Sequence, residues 1–237
     1  MIVLGINTSQ KIGSVALTSD QKLLGELGLQ MEDACLRNIL AVIDYLLTET
    51  KLTITNVDLI TVVLGPGLWS ALRIGVATAK SLAQVCNKAI LGVNTLDVLA
   101  YNLRYTEKVV YPIISAKKEH VFYAGYNCEG EAPKRVTDYR FSTWDALFND
   151  LNDLRTPSVV LLDEGVRDYI GIRSENNKGI TVGGPFLSEI RPSFVNEAGL
   201  HKFVNAGADD TLSLAPVYLQ EAEAESKWAL IQKLQEL

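Results

Sequence analysis

The chain has 237 residues, of which 48% are hydrophobic and 21% charged, with a formal net charge of −6. This composition supplies a substantial core and argues against disorder. The acidic balance disfavours stand-alone nucleic-acid binding, because phosphates are held by a surplus of Lys and Arg. The three cysteines have no C-x-x-C spacing, so neither a disulfide framework nor a zinc site is indicated. Without a secretory signal or an apolar run of membrane-spanning length, we expect a cytoplasmic protein.

The first half of the sequence predicts an α/β domain over residues 1–105. Short apolar runs separated by polar turns predict a three-stranded meander, and apolar residues at three- and four-residue spacing predict helices. Thr95 is expected to cap the third helix. Predicted strands cover residues 2–6, 13–18, 23–29, 57–64 and 89–93, and predicted helices cover 33–50, 70–86 and 95–103.

The second half begins again with strands, after a polar patch at 104–108 that marks a boundary. We therefore expect a smaller second lobe over 106–237, ending in a charged helix over 221–237. Its predicted strands cover 109–115, 120–127, 134–141, 158–162 and 180–182, its predicted helices cover 144–151 and 192–205, and 214–219 is expected to be extended.

The segment from Gly65 to Gly75, GPGLWSALRIG, connects a buried strand to a helix. Glycine and proline permit a sharp turn there, and the backbone N–H groups at the start of a helix attract anions. The segment lacks the lysine of a P-loop. Two readings follow from the residues alone: an anion site, or a tight connection in which Ser70 caps the helix.

Together with Ala79-Lys80-Ser81-Leu82-Ala83, this segment resembles the G-P-G-S-F-T-G-L-R-I-G-x-x-x-A-K-G-L-A signature of the TsaB/YeaZ family. The resemblance implies a two-lobed, actin-like ATPase (RNase H-like) fold of the α/β class, with mixed sheets and flanking helices. It also implies the dimerisation subunit of the complex that forms threonylcarbamoyladenosine in tRNA beside the anticodon. Other stretches that resemble the family are 1–9, 36–47, 92–96, 112–126 and 216–219.

Several residues depart from the family pattern at positions where its superfamily handles nucleotides. Asn7 replaces the aspartate of the opening D-T-S turn, and a neutral amide is a poor magnesium ligand. The segment 68–71 replaces S-F-T-G, 115–117 replaces D-A-R, and Gln220 replaces the last arginine of P-x-Y-L-R. We therefore expect no catalytic residue, cofactor or metal, and a vestigial phosphate loop formed by Asn7, Thr8, Ser9, Gly65, Gly67 and Ser70.

The family resemblance also implies that helices 33–50 and 70–86 pack against the equivalent pair of a TsaD-like catalytic subunit. A TsaE-like ATPase is the other expected partner, tRNA is reached only through the complex, and self-dimerisation is left open. Periodicity alone fits a plain core equally well, and solvated ion pairs are the alternative for the two charged residues. The predicted interface residues are Leu36, Ile39, Leu40, Ile43, Leu47, Leu72, Arg73, Val76, Ala79, Lys80 and Ala83.

Other enzymatic interpretations have weaker support in the sequence. His120 and His201 lie far apart, without the H-x-x-x-H spacing of the TsaD metal site, so a metal-dependent peptidase is disfavoured. Asp163-Glu164 fits a carboxylate pair in a cleft or a solvated strand end, and Gly183-Gly184-Pro185 fits a ligand loop or a plain turn. The alternative function is a small ATP-binding enzyme of the same superfamily.

Overall fold

The computed structural model describes residues 1–20, 22–30, 38–116, 119–153, 159–162 and 179–217. Several predictions fall outside these ranges: the start of the helix predicted from residue 33, with Leu36; the pair Asp163-Glu164; the position of Lys117; and the tail that contains Gln220. No helix within the described ranges has the length and apolar character needed to cross a bilayer.

The first sheet contains the predicted meander and two parallel strands. Its strands lie in the order β3-β2-β1-β4-β5; β1, β2 and β3 pair antiparallel, whereas β1, β4 and β5 run parallel. The strand β4 is almost entirely buried, as its unbroken apolar run predicts for a strand covered on both faces. The strands are β1 Ile2–Asn7, β2 Ile12–Ser19, β3 Lys22–Gln30, β4 Leu59–Gly65 and β5 Ala89–Asn94.

Helices cover both faces of this sheet. Alternate side chains of a strand point to opposite faces, so Leu4 and Ile6 of β1 join one core cluster and Val3 joins another. Helices α1 (Ile39–Glu49) and α2 (Trp69–Cys86) pack in the Leu4 cluster on one face. Helix α5 (Pro192–Ala206) covers the other face.

The second sheet has the order β10-β7-β6-β11-β12, with β8 pairing β6 and β9, and helix α4 (Trp144–Asp153) packs beside it. The predicted strand 120–127 is interrupted at 124–125, opposite Pro112, which has no N–H to donate. The predicted strand 134–141 is two separate strands. The strands are β6 Val109–Ser115, β7 His120–Tyr123, β8 Tyr126–Asn127, β9 Lys134–Arg135, β10 Arg140–Thr143, β11 Val159–Leu162 and β12 Ile180–Val182.

The short helix α3 (Thr95–Ala100) lies between the two sheets. Its residues Leu96 and Ala100 pack with Tyr126 of the second sheet, whereas Val98 and Leu99 pack with residues of the first. The predicted cap was wrong: Asn94 is the N-cap, and its side-chain oxygen accepts from the Leu96 amide at 2.8 Å. Asn94 precedes the helical residues in extended backbone, which suits a capping side chain.

The chain returns to the first sheet at its described end. Helix α5 contacts β1 and β2, Asp209 forms a bridge with Ile90, and the Val217 amide donates to the Leu64 carbonyl at 2.9 Å. These residues had been expected in a second lobe over 106–237. The division near residue 105 stays a prediction, but 192–217 lie against the sheet formed by the first hundred residues.

Candidate functional site

Most residues of the predicted docking face lie inside the chain's own core. Helices α1 and α2 turn their apolar stripes toward the first sheet, because that sheet needs cover on this face. These side chains are buried in the chain's own core, and their assignment to a partner interface stays a prediction. The buried residues are Ile39, Ile43, Leu47, Leu72, Val76, Ala79 and Ala83.

A different set of side chains forms the outer face of α1 and α2. Of the predicted interface residues, Leu40 (53% exposed) lies there, and Arg73 is also exposed. On α2, positions 69, 73, 77, 81 and 85 are all exposed. Each four-residue step turns about 40° around the helix, so Trp69 and Val85 lie at opposite edges of its exposed side. This outer face comprises Leu40, Tyr45, Leu68, Trp69, Arg73 and Val85.

Two aromatic residues, Tyr45 and Trp69, belong to the outer face. Tyr45 is 56% exposed and Trp69 is 44% exposed, and the Arg73 guanidinium lies 4.6 Å from the Trp69 ring centroid. The predicted interface does not include Tyr45, Trp69 and Val85, because the prediction followed the widest apolar stripe.

Lys80, which was predicted to aid docking, makes hydrogen bonds within the chain. Its Nζ donates to the carbonyl oxygens of Leu212 and Leu214 at 3.0 and 2.8 Å. These bonds hold the segment after α5 against α2. A charged donor bound to two carbonyls is well satisfied, so a solvated ion pair, the alternative for this residue, does not describe it.

The structure brings together most residues of the predicted phosphate loop. Asn7 ends β1, Thr8 and Ser9 follow it, and all three are buried. The Asn7 side-chain oxygen accepts from the Ser9 amide and hydroxyl at 2.9 and 2.7 Å, and Thr8 Oγ1 donates to the Ala71 carbonyl at 2.7 Å. These polar groups therefore hydrogen-bond within the chain.

The connection between β4 and α2 packs directly on this turn. Gly65 has φ +124°, a region that favours glycine. A Cβ on Gly67 would lie 2.3 Å from the Ser9 carbonyl oxygen, and the Leu68 amide donates to that oxygen at 2.9 Å. A helix-start amide that would face an anion is thus used inside the fold.

One interpretation of the motif made Ser70 the cap of α2, but Ser70 does not cap this helix. The N-cap is Leu68, which makes no side-chain capping bond, and Ser70 is the second helical residue with an exposed side chain. Gly183-Gly184-Pro185 leads into a short 3-10 helix, Pro185–Ser188, in which the Leu187 amide donates to the Gly184 carbonyl at 3.0 Å.

Asp97 on α3, the helix between the two sheets, accepts hydrogen bonds from two tyrosine hydroxyls. It accepts from Tyr126 Oη at 2.6 Å and from Tyr139 Oη at 2.8 Å. Burial raises the pKa of Asp97, and the two tyrosine hydrogen bonds oppose that rise. Burial also raises the pKa of Tyr139, so its hydroxyl keeps its proton at neutral pH.

The remaining titratable candidates do not assemble into a metal site. His120 stacks on Phe141 with 5.0 Å between ring centroids, whereas His201 lies exposed on α5. Within the part of the chain that the structure describes, no three His, Cys, Asp or Glu side chains are grouped to hold a metal ion.

Comparison with known proteins relates the chain to one family. The family model "TsaD: tRNA N6-adenosine threonylcarbamoyltransferase" matches residues 30–157, more than half of the chain. The tRNA threonylcarbamoyladenosine biosynthesis protein TsaB of Bacillus subtilis (strain 168) is 25% identical over 245 residues, which cover 98% of this chain and 100% of that protein.

The catalytic relatives match over a smaller part of their length. The tRNA N6-adenosine threonylcarbamoyltransferase of Protochlamydia amoebophila (strain UWE25) is 37% identical over 117 residues, 43% of this chain and 34% of that enzyme. The chain thus spans about a third of that enzyme.

The solved structure of YeaZ from Pseudomonas aeruginosa has the same fold. It superimposes with a TM-score of 0.75 at 19% identity, covering 92% of this chain and 99% of that one. This likeness confirms the predicted α/β fold with two mixed sheets and flanking helices.

Proposed function

The chain belongs to the family described as TsaD: tRNA N6-adenosine threonylcarbamoyltransferase, in its TsaB/YeaZ group, and from this premise we propose that it is a non-catalytic subunit of the complex that forms threonylcarbamoyladenosine in tRNA. The observation that carries the proposal is the full-length match to TsaB. The match to a transferase covers only 34% of that enzyme. A separate catalytic protein, of the TsaD type, would therefore transfer the threonylcarbamoyl group.

The outer face of α1 and α2 is the proposed docking surface for that catalytic subunit. Tyrosine, tryptophan and arginine are enriched among the residues that contribute most to protein interfaces. Trp69 and Arg73 are already stacked on each other, so little conformational entropy is lost when a partner covers them. The buried stripes of both helices support this surface from beneath.

Polar groups in the loops near Gly67 already make hydrogen bonds within the chain, which supports a non-catalytic role. Asn7 is neutral where the resemblance places an aspartate, and its oxygen is already bound by Ser9. The Leu68 amide at the start of α2 is bound by Ser9 as well. Binding a nucleotide phosphate here would require these hydrogen bonds to break.

Other assignments complete the proposal. A TsaE-like ATPase would supply nucleotide handling in the complex, and the net charge of −6 suits a chain that meets tRNA through its partners. Because tRNA is the target, we place the function in the cytoplasm. The outer face is also where two copies of this chain would pair in the absence of the partner.

The test is a calorimetric titration, in which the TsaD-type protein from the same organism is added to the purified chain. Trp69→Ala is expected to weaken binding by about 10- to 100-fold, as removal of an aromatic interface anchor does. Unchanged affinity in this variant would place the docking surface elsewhere.

A matched pair of valines controls for nonspecific effects. Val85 is the next-to-last residue of α2 and belongs to the outer face, whereas Val204 lies near the end of α5 on the opposite side of the sheet; both are exposed. Val85→Asp should lower affinity, because it places a charge in an apolar contact. Val204→Asp should leave affinity unchanged, and equal effects of the two would contradict the assigned face.

A further inference from the structure

Asp97 on α3 accepts hydrogen bonds from two tyrosine hydroxyl groups, and both tyrosines lie in or directly beside strands of the second sheet. Tyr126 lies on β8, and Tyr139 directly precedes β10. Both hydroxyls donate to the Asp97 carboxylate, and the Arg135 guanidinium lies 4.0 Å from the Tyr139 ring centroid. A carboxylate that accepts from two fixed hydroxyls holds α3 in one orientation relative to the second sheet.

The first residue of α3 is hydrogen-bonded to the segment that leads into α2. Thr95 Oγ1 donates to the Pro66 carbonyl at 2.6 Å, and Pro66 and Gly67 directly precede the N-cap of α2. The position of α3 therefore bears on the segment from which α2 begins. The outer face, with Trp69 in the first turn, starts at that same segment.

We propose that Asp97 is a positioning residue that fixes the start of α2, and with it the Trp69 end of the docking surface, to the second sheet. This inference rests on the proposed function, because its consequence is that the affinity for the partner depends on contacts remote from the partner. Coupling of this kind passes through packed, hydrogen-bonded elements. The elements here are β8, α3 and the Pro66–Gly67 connection.

The second sheet offers a matched control for the chemistry. Tyr123 Oη donates to Asp150 at 2.7 Å, which is also a tyrosine–carboxylate bond, but Tyr123 on β7 and Asp150 on α4 both lie at the second sheet. Tyr123→Phe removes a hydroxyl of the same kind without touching α3.

Hydrogen exchange on the isolated chain tests the coupling directly. In the double variant Tyr126→Phe/Tyr139→Phe, amides of the peptide 65–72 should exchange about tenfold faster than in wild type, since local opening costs less. Tyr123→Phe should leave that peptide unchanged. If the double variant matches wild type there, or shows no more change than Tyr123→Phe, the positioning role is refuted.

Partner binding supplies the second readout. The double variant should bind the TsaD-type protein about tenfold more weakly, and Tyr123→Phe should bind as wild type does. If the double variant fails to fold, Asp97→Asn, of nearly equal size, replaces it in both measurements with the same expectations. A wild-type chain that does not bind contradicts the proposed function, and the exchange result still decides the coupling.

Discussion

Replacing Ile43 with alanine separates the core of α1 from its outer face. The Ile43 side chain is 3% exposed and belongs to the core cluster that contains Val15 and Leu17. Truncating a buried isoleucine to alanine costs about 2–5 kcal/mol, through lost burial and the cavity that remains. For a chain of this size each kcal/mol lowers the melting temperature by about 2–4 °C, so a loss of ~3 kcal/mol lowers it by roughly 6–12 °C.

Tyr45, two residues further along the same helix, provides the comparison. Its side chain is more than half exposed, so Tyr45→Ala should change the free energy of unfolding by no more than about 0.5 kcal/mol. The same substitution should weaken binding of the TsaD-type partner, because it removes an aromatic side chain from the outer face.

The assay combines urea unfolding, followed by circular dichroism, with calorimetric titration of the partner. Ile43→Ala should lower stability and, under conditions where it is folded, retain most of its affinity. Tyr45→Ala should do the reverse. If Ile43→Ala is as stable as wild type but no longer binds, α1 presents its apolar stripe outward and the burial argument fails.

Three further outcomes follow from the described contacts. Gly67→Ala should lower stability by about 1–3 kcal/mol, because its Cβ would meet the Ser9 carbonyl, whereas Gly184→Ala should be nearly neutral in urea unfolding, because its Cβ would face open space. Asp97 has a raised pKa, so the folded state holds the proton of this carboxyl group more tightly than the unfolded state does. The resulting contribution of Asp97 to the free energy of unfolding is complete below the ordinary pKa of 3.8, and it is lost as the pH rises through the folded pKa. Wild type should therefore lose stability relative to Asp97→Asn over that range in urea titrations, and a constant difference would contradict the assignment. Millimolar Mg-ATP should leave the melting temperature of the isolated chain unchanged, whereas a clear rise would favour the ATP-binding alternative.

Local periodicity was sufficient to predict many of the described elements. The helix predicted over 70–86 is observed as Trp69–Cys86, and the meander strands lie close to their predicted ranges. The apolar residues of the helix recur at the helical period, and those of the meander strands recur at the strand period. The break between β7 and β8 was not predicted, because it depends on Pro112 in the neighbouring strand.

Long-range contacts explain what the sequence did not predict. A wide apolar stripe does not say which part faces the sheet, so the predicted interface included Ile43, which is buried, and left out Tyr45, which is exposed. Lys80 was assigned to docking because its acceptors, the Leu212 and Leu214 carbonyls, are distant in sequence. The packing of α5 on the first sheet likewise has no local signal.

The most direct measurement of the central claim is calorimetric titration of the TsaD-type protein with wild-type chain, Val85→Asp and Val204→Asp in parallel. We predict saturable binding for wild type and Val204→Asp, and clearly weaker binding for Val85→Asp. Absence of binding by the wild-type chain, with both proteins folded, would contradict the assignment of this protein as a docking subunit.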